Sequence, residues 1–324
     1  MLRKLIRHIQ NEEFVFVQTH NFPDHDAVCS AFGLQHILAE HGITSHIIYE
    51  GEIQRDSLHK TIQEFHINIR PAKEFELKDE YKIIIVDGCK GSKNVTDLVG
   101  EEIAVIDHHE VHSPDDVTYS DIRTNYGSCS TIIQSYYETL NLEPTRDVAS
   151  ALLIGLNMDT ALMTRGVDGA DLTAYQYLYE RADNHLVNTI LRNFIQTKDL
   201  AFFKVALDKL VVEGRFAFCY FEEGCNQNLL GILGDFFLAL EEADFVALCA
   251  HNNGVINFSL RSEVPEWNSS TIIREALDGV GFGGGHADMA GGIIKDASLF
   301  NEKLYFKKFT ELLATHEKKY KAVS

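Results

Sequence analysis

The stretch Ile103-Ala-Val-Ile-Asp-His-His109 joins a short, apolar, β-branched run to an acid and two adjacent histidines. Runs of this kind are typical of a buried strand in a parallel sheet, and we predict a strand over Glu101–Ile106. In open α/β sheets the ligand crevice lies beyond the carboxyl ends of the strands. We therefore expect Asp107, His108 and His109 to lie at the mouth of such a crevice.

Two other predicted strands are followed by the same kinds of side chain. The strands are Phe14–Thr19 and Lys82–Val86, and the residues that follow them are His20, Asp24, Asp26 and Asp87. An isolated Asp-His-His sequence can arise by chance, because short motifs have many false positives. Three strand ends that deliver acids and histidines to one edge of a sheet instead favour a metal site.

These side chains, with one acid at the end of a predicted helix, form a candidate ligand set for a pair of cations. The set is His20, Asp24, Asp26, Asp87, His108 and Asp159. Carboxylates with one or two imidazoles suit Mn²⁺, and Mg²⁺, Fe²⁺, Co²⁺ or Zn²⁺ use similar ligands in other settings. Two such ions share a carboxylate and clamp the attacking and leaving oxygens of a phosphoryl displacement. The alternative for any one of these acids is a solvated loop residue or a helix cap.

The composition is that of a globular protein, with 45% hydrophobic and 24% charged residues over 324 positions. This length favours two domains, and we place them at residues 1–190 and 191–324. The net charge of −19 argues against a protein that binds long duplex nucleic acid by neutralising many phosphates. A short phosphorylated substrate held beside bound cations is compatible with that charge, because the cations set the local field.

The cysteines and the N-terminus bear on the cellular compartment. Six cysteines are scattered without a C-x-x-C pair, and we interpret them as reduced thiols of a cytosolic protein. The first ten residues are amphipathic and broken by charges, unlike a signal peptide. No run approaches the ~20 apolar residues of a membrane-spanning helix. We expect a cytoplasmic protein without a membrane partner.

Strands alternate with helical patterns, which predicts a parallel sheet in the first domain. Helices are predicted over residues 27–40, 128–140 and 146–157, with several more between residues 171 and 212. A second α/β unit begins at the strand Phe216–Phe221 and contains a hairpin turning at residues 251–254. Its glycine run, ending at His286, is expected to precede a helix and to bind an anion through backbone N–H groups; the alternative is a flexible turn.

In chain order, His20-x-x-x-Asp24-x-Asp26, Asp87, Asp107-His108-His109 and Asp159 resemble the four motifs of the DHH phosphoesterase family. Arg261 and Gly283-Gly-Gly-His286 are similar to the DHH-associated C-terminal domain. Within the family, the chain most resembles the stand-alone proteins that degrade very short RNAs and dephosphorylate 3′-phosphoadenosine 5′-phosphate. The resemblance implies a doubly wound parallel-sheet domain, a smaller C-terminal α/β domain, and an active site in the cleft between them.

The resemblance also implies a role for each matching residue. One Mn²⁺ would be held by His20, Asp24 and Asp87, with Asp159 also available to it. The other would be held by Asp26, Asp87, His108 and Asp159, so that Asp87 bridges the two ions. Mg²⁺ or Co²⁺ would be substitutes. Asp107 would support the neighbouring histidines, and His109 would face the substrate phosphate. The residues implied in substrate binding are Arg261, Gly284, Gly285 and His286.

Two departures from the family pattern leave the substrate branch open. His25 stands between the paired acids, where many relatives have glycine; it could reach a metal, but we expect it in a surface loop. Ala161-Leu-Met163 follows the last motif, where relatives often have a glycine and an aromatic residue.

The implied function is hydrolysis of short oligonucleotides, of 3′-phosphoadenosine 5′-phosphate, or of both, by a water molecule that two metal ions activate. Other enzymes remain open: a phosphodiesterase for linear or cyclic dinucleotides, a single-strand exonuclease, and a polyphosphate or pyrophosphate hydrolase. A nucleotide-binding regulatory module is the non-enzymatic alternative, and a missing metal ligand would indicate it. None of the six is missing. The expected partner is a short oligonucleotide or nucleotide phosphate, and a homodimer is left open.

Overall fold

The computed structural model describes residues 2–192 and 195–323. The chain divides into two compact units, residues 1–194 and 195–324. Each unit contains one sheet of six strands. Residue 190, where we predicted the domain boundary, lies inside the helix Asn184–Arg192 of the first unit.

The first unit alternates strands and helices up to residue 71, as the sequence predicts, but three further strands and then four helices follow without alternation. Its strands are β1 Val15–Gln18, β2 Ser45–Tyr49, β3 Ile69–Pro71, β4 Lys82–Val86, β5 Glu101–Asp107 and β6 Tyr119–Ile122. Its helices are α1 Leu2–Ile9, α2 His25–Glu40, α3 Asp56–Glu64, α4 Cys129–Leu140, α5 Arg146–Asp159, α6 Gly169–Tyr179 and α7 Asn184–Arg192. All strand pairs are parallel, in the order β3-β2-β1-β4-β5-β6. The predicted parallel sheet is confirmed, and its order reverses direction between β1 and β4.

Both faces of this sheet are buried, which explains its continuous β-branched runs. In β4, Ile84 and Val86 join the larger core with residues of α2, α4 and α5. Ile83 and Ile85 point to the other face, where the smaller core includes Cys89 and other residues of the connecting loops. The strand order, which reverses between β1 and β4, is of the doubly wound type. The second face of the sheet is covered by connecting loops rather than by long helices.

The second unit is a mixed sheet with four helices among its described residues. Its strands are β7 Val211–Glu213, β8 Phe216–Phe221, β9 Phe245–Asn252, β10 Val255–Ser262, β11 Phe282–Gly285 and β12 Met289–Ile294. The helices are α8 Leu200–Lys209, α9 Gln227–Leu238, α10 Ser269–Leu277 and α11 Glu302–Val323. The order is β11-β12-β10-β9-β8-β7, with only β8 and β9 parallel among these pairs. The predicted β9–β10 hairpin is confirmed.

The prediction that the glycine run precedes a helix is wrong. The run forms strand β11, which pairs with β12 at the edge of the sheet. Helix α10 packs so closely here that a Cβ atom on Gly283 would lie 2.7 Å from the Ile273 side chain. A Cβ on Gly292 of the neighbouring strand would lie 2.8 Å from the same side chain. The glycines therefore allow close packing between helix and sheet.

Candidate metal centre

The carboxyl ends of β1, β4 and β5 lie side by side, because these strands are parallel neighbours. His20 follows β1, Asp87 follows β4 directly, and His108 follows β5 directly. The first two flank the point where the strand order reverses. That point is the usual ligand position in an open α/β sheet.

Helix ends contribute the other carboxylates. Asp24 is the N-cap of α2 and accepts a hydrogen bond from the Ala27 backbone N–H at 3.1 Å. Asp26 lies in the first turn of the same helix, and Asp159 is the last residue of α5. The helix dipole opposes a negative charge at a C-terminus. A cation would therefore stabilise Asp159 at this position.

The predicted ligands come together in three groups, within each of which the ligand atoms lie within 4.8 Å of one another. The groups are His20–Asp24–Asp87, Asp26–His108–Asp159 and Asp87–His108–His109. Asp87 Oδ2 lies 3.7 Å from His20 Nε2, and Asp87 Oδ1 lies 3.4 Å from His108 Nε2. The two oxygens of Asp87 thus face different histidines, as a bridging carboxylate requires.

Backbone carbonyl groups determine how the two histidines present their nitrogens. His20 Nδ1 lies 2.9 Å from the carbonyl oxygen of Asn21, and His108 Nδ1 lies 3.1 Å from that of Tyr126. A carbonyl oxygen can only accept, so each Nδ1 carries a proton and donates it. Each Nε2 consequently faces the acids, as expected of a metal-ligating imidazole.

Two buried atoms at the centre of the site provide the strongest sign of a cation. Asp87 Oδ1 and His108 Nε2 lack a hydrogen-bond partner among the described residues. Asp87 is only 1% exposed. An unsatisfied buried polar atom costs ~1–3 kcal/mol, so native proteins usually pair such atoms with protein, water or an ion. The residues present therefore fit a bound divalent metal.

The electrostatics of the acids lead to the same conclusion. Burial, and then the charge of Asp26, raises the pKa of Asp87 well above its usual range. Burial, and then the charge of Asp159, raises the pKa of Asp26. Crowded buried carboxylates need compensating positive charge to remain ionised. Two divalent cations would balance the four carboxylates Asp24, Asp26, Asp87 and Asp159.

Asp107 interacts with both histidines that follow it. Its Oδ1 accepts hydrogen bonds from the backbone N–H groups of His108 and His109, at 2.8 and 3.2 Å, and from His109 Nδ1 at 2.8 Å. Burial alone would raise the pKa of Asp107, but the hydrogen bond from His109 holds that pKa below its usual range. The ionised carboxylate thus orients the His109 ring. The predicted role of His109 toward substrate stays a prediction.

The backbone at Asp87 has a positive φ of 57°, in the left-handed region that Asp and Asn adopt more readily than other residues with a side chain. The Asp87 N–H donates to the carbonyl of Ile106 at 2.9 Å, which ties the residue to β5. Sparsely populated backbone conformations of this kind cluster at functional sites.

Known protein families match both units. The DHH family, N-terminal domain, matches residues 14–156, and the DHHA1 domain matches residues 213–315. The chain contains a DHH domain and a DHHA1 domain. An uncharacterized protein of Methanocaldococcus jannaschii is 29% identical over 279 residues, which are 85% of this chain and 57% of that protein. A probable manganese-dependent inorganic pyrophosphatase of Streptococcus thermophilus is 27% identical over 152 residues, 46% of this chain and 49% of that protein. The chain spans about half the length of these curated relatives.

Solved structures share the fold. An exopolyphosphatase-related protein of Bacteroides fragilis superposes with a TM-score of 0.81 and 17% identity, over 98% of both chains. RecJ of Thermus thermophilus, in complex with Mn²⁺, has a TM-score of 0.56 and 15% identity. That match covers 97% of this chain and 54% of RecJ.

In the DHH domain, the expectation that His25 lies in a surface loop is wrong. His25 is the first residue of α2 and is 0% exposed. Neither ring nitrogen has a hydrogen-bond partner in the described part of the chain. Burial, and then the charge of Arg55, lowers the pKa of His25 to about 4, so the ring is neutral. Sequence reasoning missed this position because a residue between two acids in a polar turn is usually solvated.

In the DHHA1 domain, Arg261 is almost buried and binds protein groups. Its Nε donates to Asp235 Oδ1 at 2.6 Å, and its Nη1 donates to Ser259 Oγ at 3.1 Å and to the Leu260 carbonyl at 3.0 Å. His286 is exposed in the turn after β11, and Gly284 and Gly285 lie within that strand. Substrate binding by these residues stays a prediction.

Proposed function

We propose that this protein is a Mn²⁺-dependent phosphoesterase that hydrolyses short oligonucleotides, 3′-phosphoadenosine 5′-phosphate, or both. The observation that carries the proposal is a pair of buried atoms, Asp87 Oδ1 and His108 Nε2, that make no hydrogen bond among the described residues and lie where the ligand groups meet. The match of residues 14–156 to the DHH family supports hydrolytic chemistry. The manganese in the name of the Streptococcus thermophilus relative supports the choice of metal.

The proposed ligand assignment starts from two of the three groups and lets Asp87 join both, because its two oxygens face different histidines. One ion would be held by His20, Asp24 and Asp87, and the other by Asp26, Asp87, His108 and Asp159. Two bound divalent ions would lower the pKa of a water molecule and neutralise charge on the phosphate.

His109 would act on the substrate with its Nε2, since its Nδ1 donates to Asp107. Burial lowers the pKa of His109, but the hydrogen bond to Asp107 and the charge of Asp87 raise it above its usual value. A raised pKa favours a protonated ring, which can donate to a phosphate oxygen or to the leaving group. We propose that Asp107 holds His109 in this role.

Hydrolysis of pyrophosphate or polyphosphate is the second candidate. The named pyrophosphatase relatives favour it, although the match with the Streptococcus thermophilus protein covers 46% of this chain. Both candidates need the same metals, so the substrate decides between them.

The test is a panel assay with Mn²⁺ and the full chain. It compares a dinucleotide, a 24-mer, 3′-phosphoadenosine 5′-phosphate, a cyclic dinucleotide and pyrophosphate. We expect the highest kcat/KM for the dinucleotide or for 3′-phosphoadenosine 5′-phosphate. A preference for pyrophosphate would replace the first candidate by the second. Mn²⁺ binding without hydrolysis of any substrate would identify a regulatory module.

We also propose a cytoplasmic location. All six cysteines are buried, and none forms a disulfide. Reduced thiols of this kind are typical of the cytosol. In residues 2–192 and 195–323, we find no helix with the length and apolar character to cross a bilayer.

A further inference from the structure

We propose that Asp171 is a positioning residue for the metal ligand His108, and that it acts through the peptide group between Tyr126 and Gly127. This inference rests on the metal centre of the proposed function, but it makes no assumption about the substrate. Asp171 lies in the first turn of α6 and belongs to none of the ligand groups described above.

The first link is the hydrogen bond from His108 to Tyr126. His108 Nδ1 donates to the Tyr126 carbonyl oxygen at 3.1 Å, which leaves Nε2 facing Asp87 and Asp159. The direction of this carbonyl group therefore sets both the tautomer and the tilt of the imidazole ring.

The second link is the peptide plane. The carbonyl group of Tyr126 and the N–H group of Gly127 belong to one rigid, planar, trans unit, and they point in opposite directions. Gly127 N–H donates to Asp171 Oδ2 at 2.9 Å. The plane is thus held at one edge by a carboxylate and at the other by His108. Fixing the Gly127 N–H fixes the Tyr126 carbonyl as well.

Asp171 itself is firmly held. It is 0% exposed, and its Oδ2 also accepts the Asp168 N–H at 2.8 Å. Its Oδ1 accepts from Thr131 Oγ1 at 2.5 Å. Hydrogen bonds to a carboxylate are stronger than neutral ones, and bonds in series polarise one another. The charge of Asp171 should therefore make the Tyr126 carbonyl a better acceptor for the His108 proton.

Packing restricts the same peptide. A Cβ atom on Gly127 would lie 2.7 Å from the Gly166 carbonyl oxygen and 2.7 Å from Thr160 Cγ2. Thr160 follows Asp159 directly in the chain. The peptide that orients His108 is therefore packed against the segment that carries a second proposed ligand, and this position requires glycine.

The alternative is that Asp171 only caps α6. It does form a capping box with Asp168, the N-cap residue. A capping box, however, needs only the hydrogen bond to the Asp168 backbone. The bonds to Gly127 and Thr131 come from residues 44 and 40 positions away. Asp168→Ala is a matched control, since it removes the other cap of α6 and leaves these bonds in place.

The experiment measures Mn²⁺ affinity by calorimetry on the metal-free full chain, together with its thermal unfolding. Asp171→Ala should weaken Mn²⁺ binding by about 10-fold, the low end of the loss that follows removal of a direct partner of a ligating histidine, because Asp171 acts through the intervening peptide group. Asp168→Ala should lower the unfolding temperature but bind Mn²⁺ like the wild type. If Asp171→Ala does not fold, Asp171→Asn keeps its volume and one accepting oxygen, and it should still weaken binding at least about 3-fold.

If Asp171→Ala folds and binds Mn²⁺ with wild-type affinity, the inference is overturned. If only Asp171→Asn folds, wild-type Mn²⁺ affinity in that variant would overturn it. Equal losses in Asp171→Ala and Asp168→Ala would also overturn it, because they would reduce Asp171 to a helix cap. Failure of the wild-type chain to bind Mn²⁺ would instead overturn the proposed function, and this inference with it.

Discussion

His108 and His109 are adjacent in the chain, yet their Nδ1 atoms have different partners. His108 Nδ1 donates to a backbone carbonyl, so its Nε2 faces Asp87 and Asp159. His109 Nδ1 donates to Asp107, and its side chain is 30% exposed. The hydrogen bonds thus suit the first histidine to metal binding and the second to contact with substrate.

Separate loss of the two rings should therefore have different effects. His108→Ala should weaken Mn²⁺ binding at least about 10-fold, because it removes a ligand rather than a residue behind one. His109→Ala should bind Mn²⁺ normally and lose about 10²- to 10⁴-fold in kcat, the usual value of a proton donor. Calorimetry and steady-state kinetics on both variants check this. Loss of Mn²⁺ binding in His109→Ala would make it a ligand instead.

Arg261 allows a similar comparison within the DHHA1 domain. If the guanidinium also contacts a substrate phosphate, Arg261→Ala should lower kcat/KM. The loss should correspond to about 1.5–3 kcal/mol of transition-state stabilisation. Asp235→Ala is the matched control, since it removes the same ion pair but leaves the guanidinium. We expect normal Mn²⁺ binding in both variants and normal kcat/KM only in the control. An unchanged kcat/KM in both Arg261→Ala and Asp235→Ala would show that Arg261 only joins β10 to α9 through its ion pair with Asp235.

Helices α2, α4 and α5 pack closely around Gly155 of α5. Their packing therefore affects the position of a proposed metal ligand. A Cβ on Gly155 of α5 would lie 2.3 Å from Ser130 Oγ and 2.9 Å from Asp26 Oδ1. Asp26 also accepts the Cys129 and Ser130 backbone N–H groups at 2.6 and 2.9 Å, and so holds the start of α4. A side chain at Gly155 would have to displace this carboxylate.

Gly155→Ala should accordingly destabilise the protein by about 1–3 kcal/mol, the usual cost of overpacking, and should weaken Mn²⁺ binding. Gly169→Ala is the control, because it begins α6 with open space around its Cβ position and should be neutral or stabilising by up to ~1 kcal/mol. Urea unfolding of the metal-free proteins measures both. An unchanged or higher stability of Gly155→Ala would show that the helices can separate at little cost.

Elements with a strong hydrophobic pattern could be predicted from sequence. The predicted strands Lys82–Val86 and Phe216–Phe221 have the same bounds in the structure. Helix α3 and strand β3 were missed, since the segment is polar and only Leu58 and Thr61 of α3 are buried. The helices predicted as far as residue 212 end at Lys209, because residues 211–213 instead pair with β8 as an edge strand.

The close approach of the candidate ligands could be predicted for a physical reason: parallel strand ends bring different parts of the chain to one edge. The groups that hold these side chains in place could not be predicted. The acceptor for His108 is a backbone carbonyl of Tyr126, and every residue type carries such a group. The sequence around Asp171 contains no motif that singles it out, and only the fold places it beside Gly127.

The charge of the whole chain bears on substrate length. With a net charge of −19, the protein should repel the distant phosphates of a long strand, and salt should weaken that repulsion. Proteins that bind long single strands instead follow the backbone with a positive groove. We expect kcat/KM to fall from a 2-mer through a 5-mer to a 24-mer of one sequence, most steeply at low salt. Equal or greater efficiency on the 24-mer at low salt would indicate a long-strand exonuclease.

We propose that one carboxylate, Asp87, joins two metal ions in a hydrolytic site. Asn has nearly the same shape as Asp and tolerates the left-handed backbone at this position, so Asp87→Asn should fold normally. Asp116→Asn is the control, since its carboxylate is 66% exposed and pairs with Lys90.

The deciding measurement is the number of Mn²⁺ ions bound per chain, by equilibrium dialysis, together with hydrolysis of a dinucleotide. We predict two ions and full activity for the wild type and for Asp116→Asn. We predict weakened binding of both ions and no measurable hydrolysis for Asp87→Asn, because the shared ligand loses its charge. Two tightly bound ions with near-normal turnover in Asp87→Asn would contradict the claim.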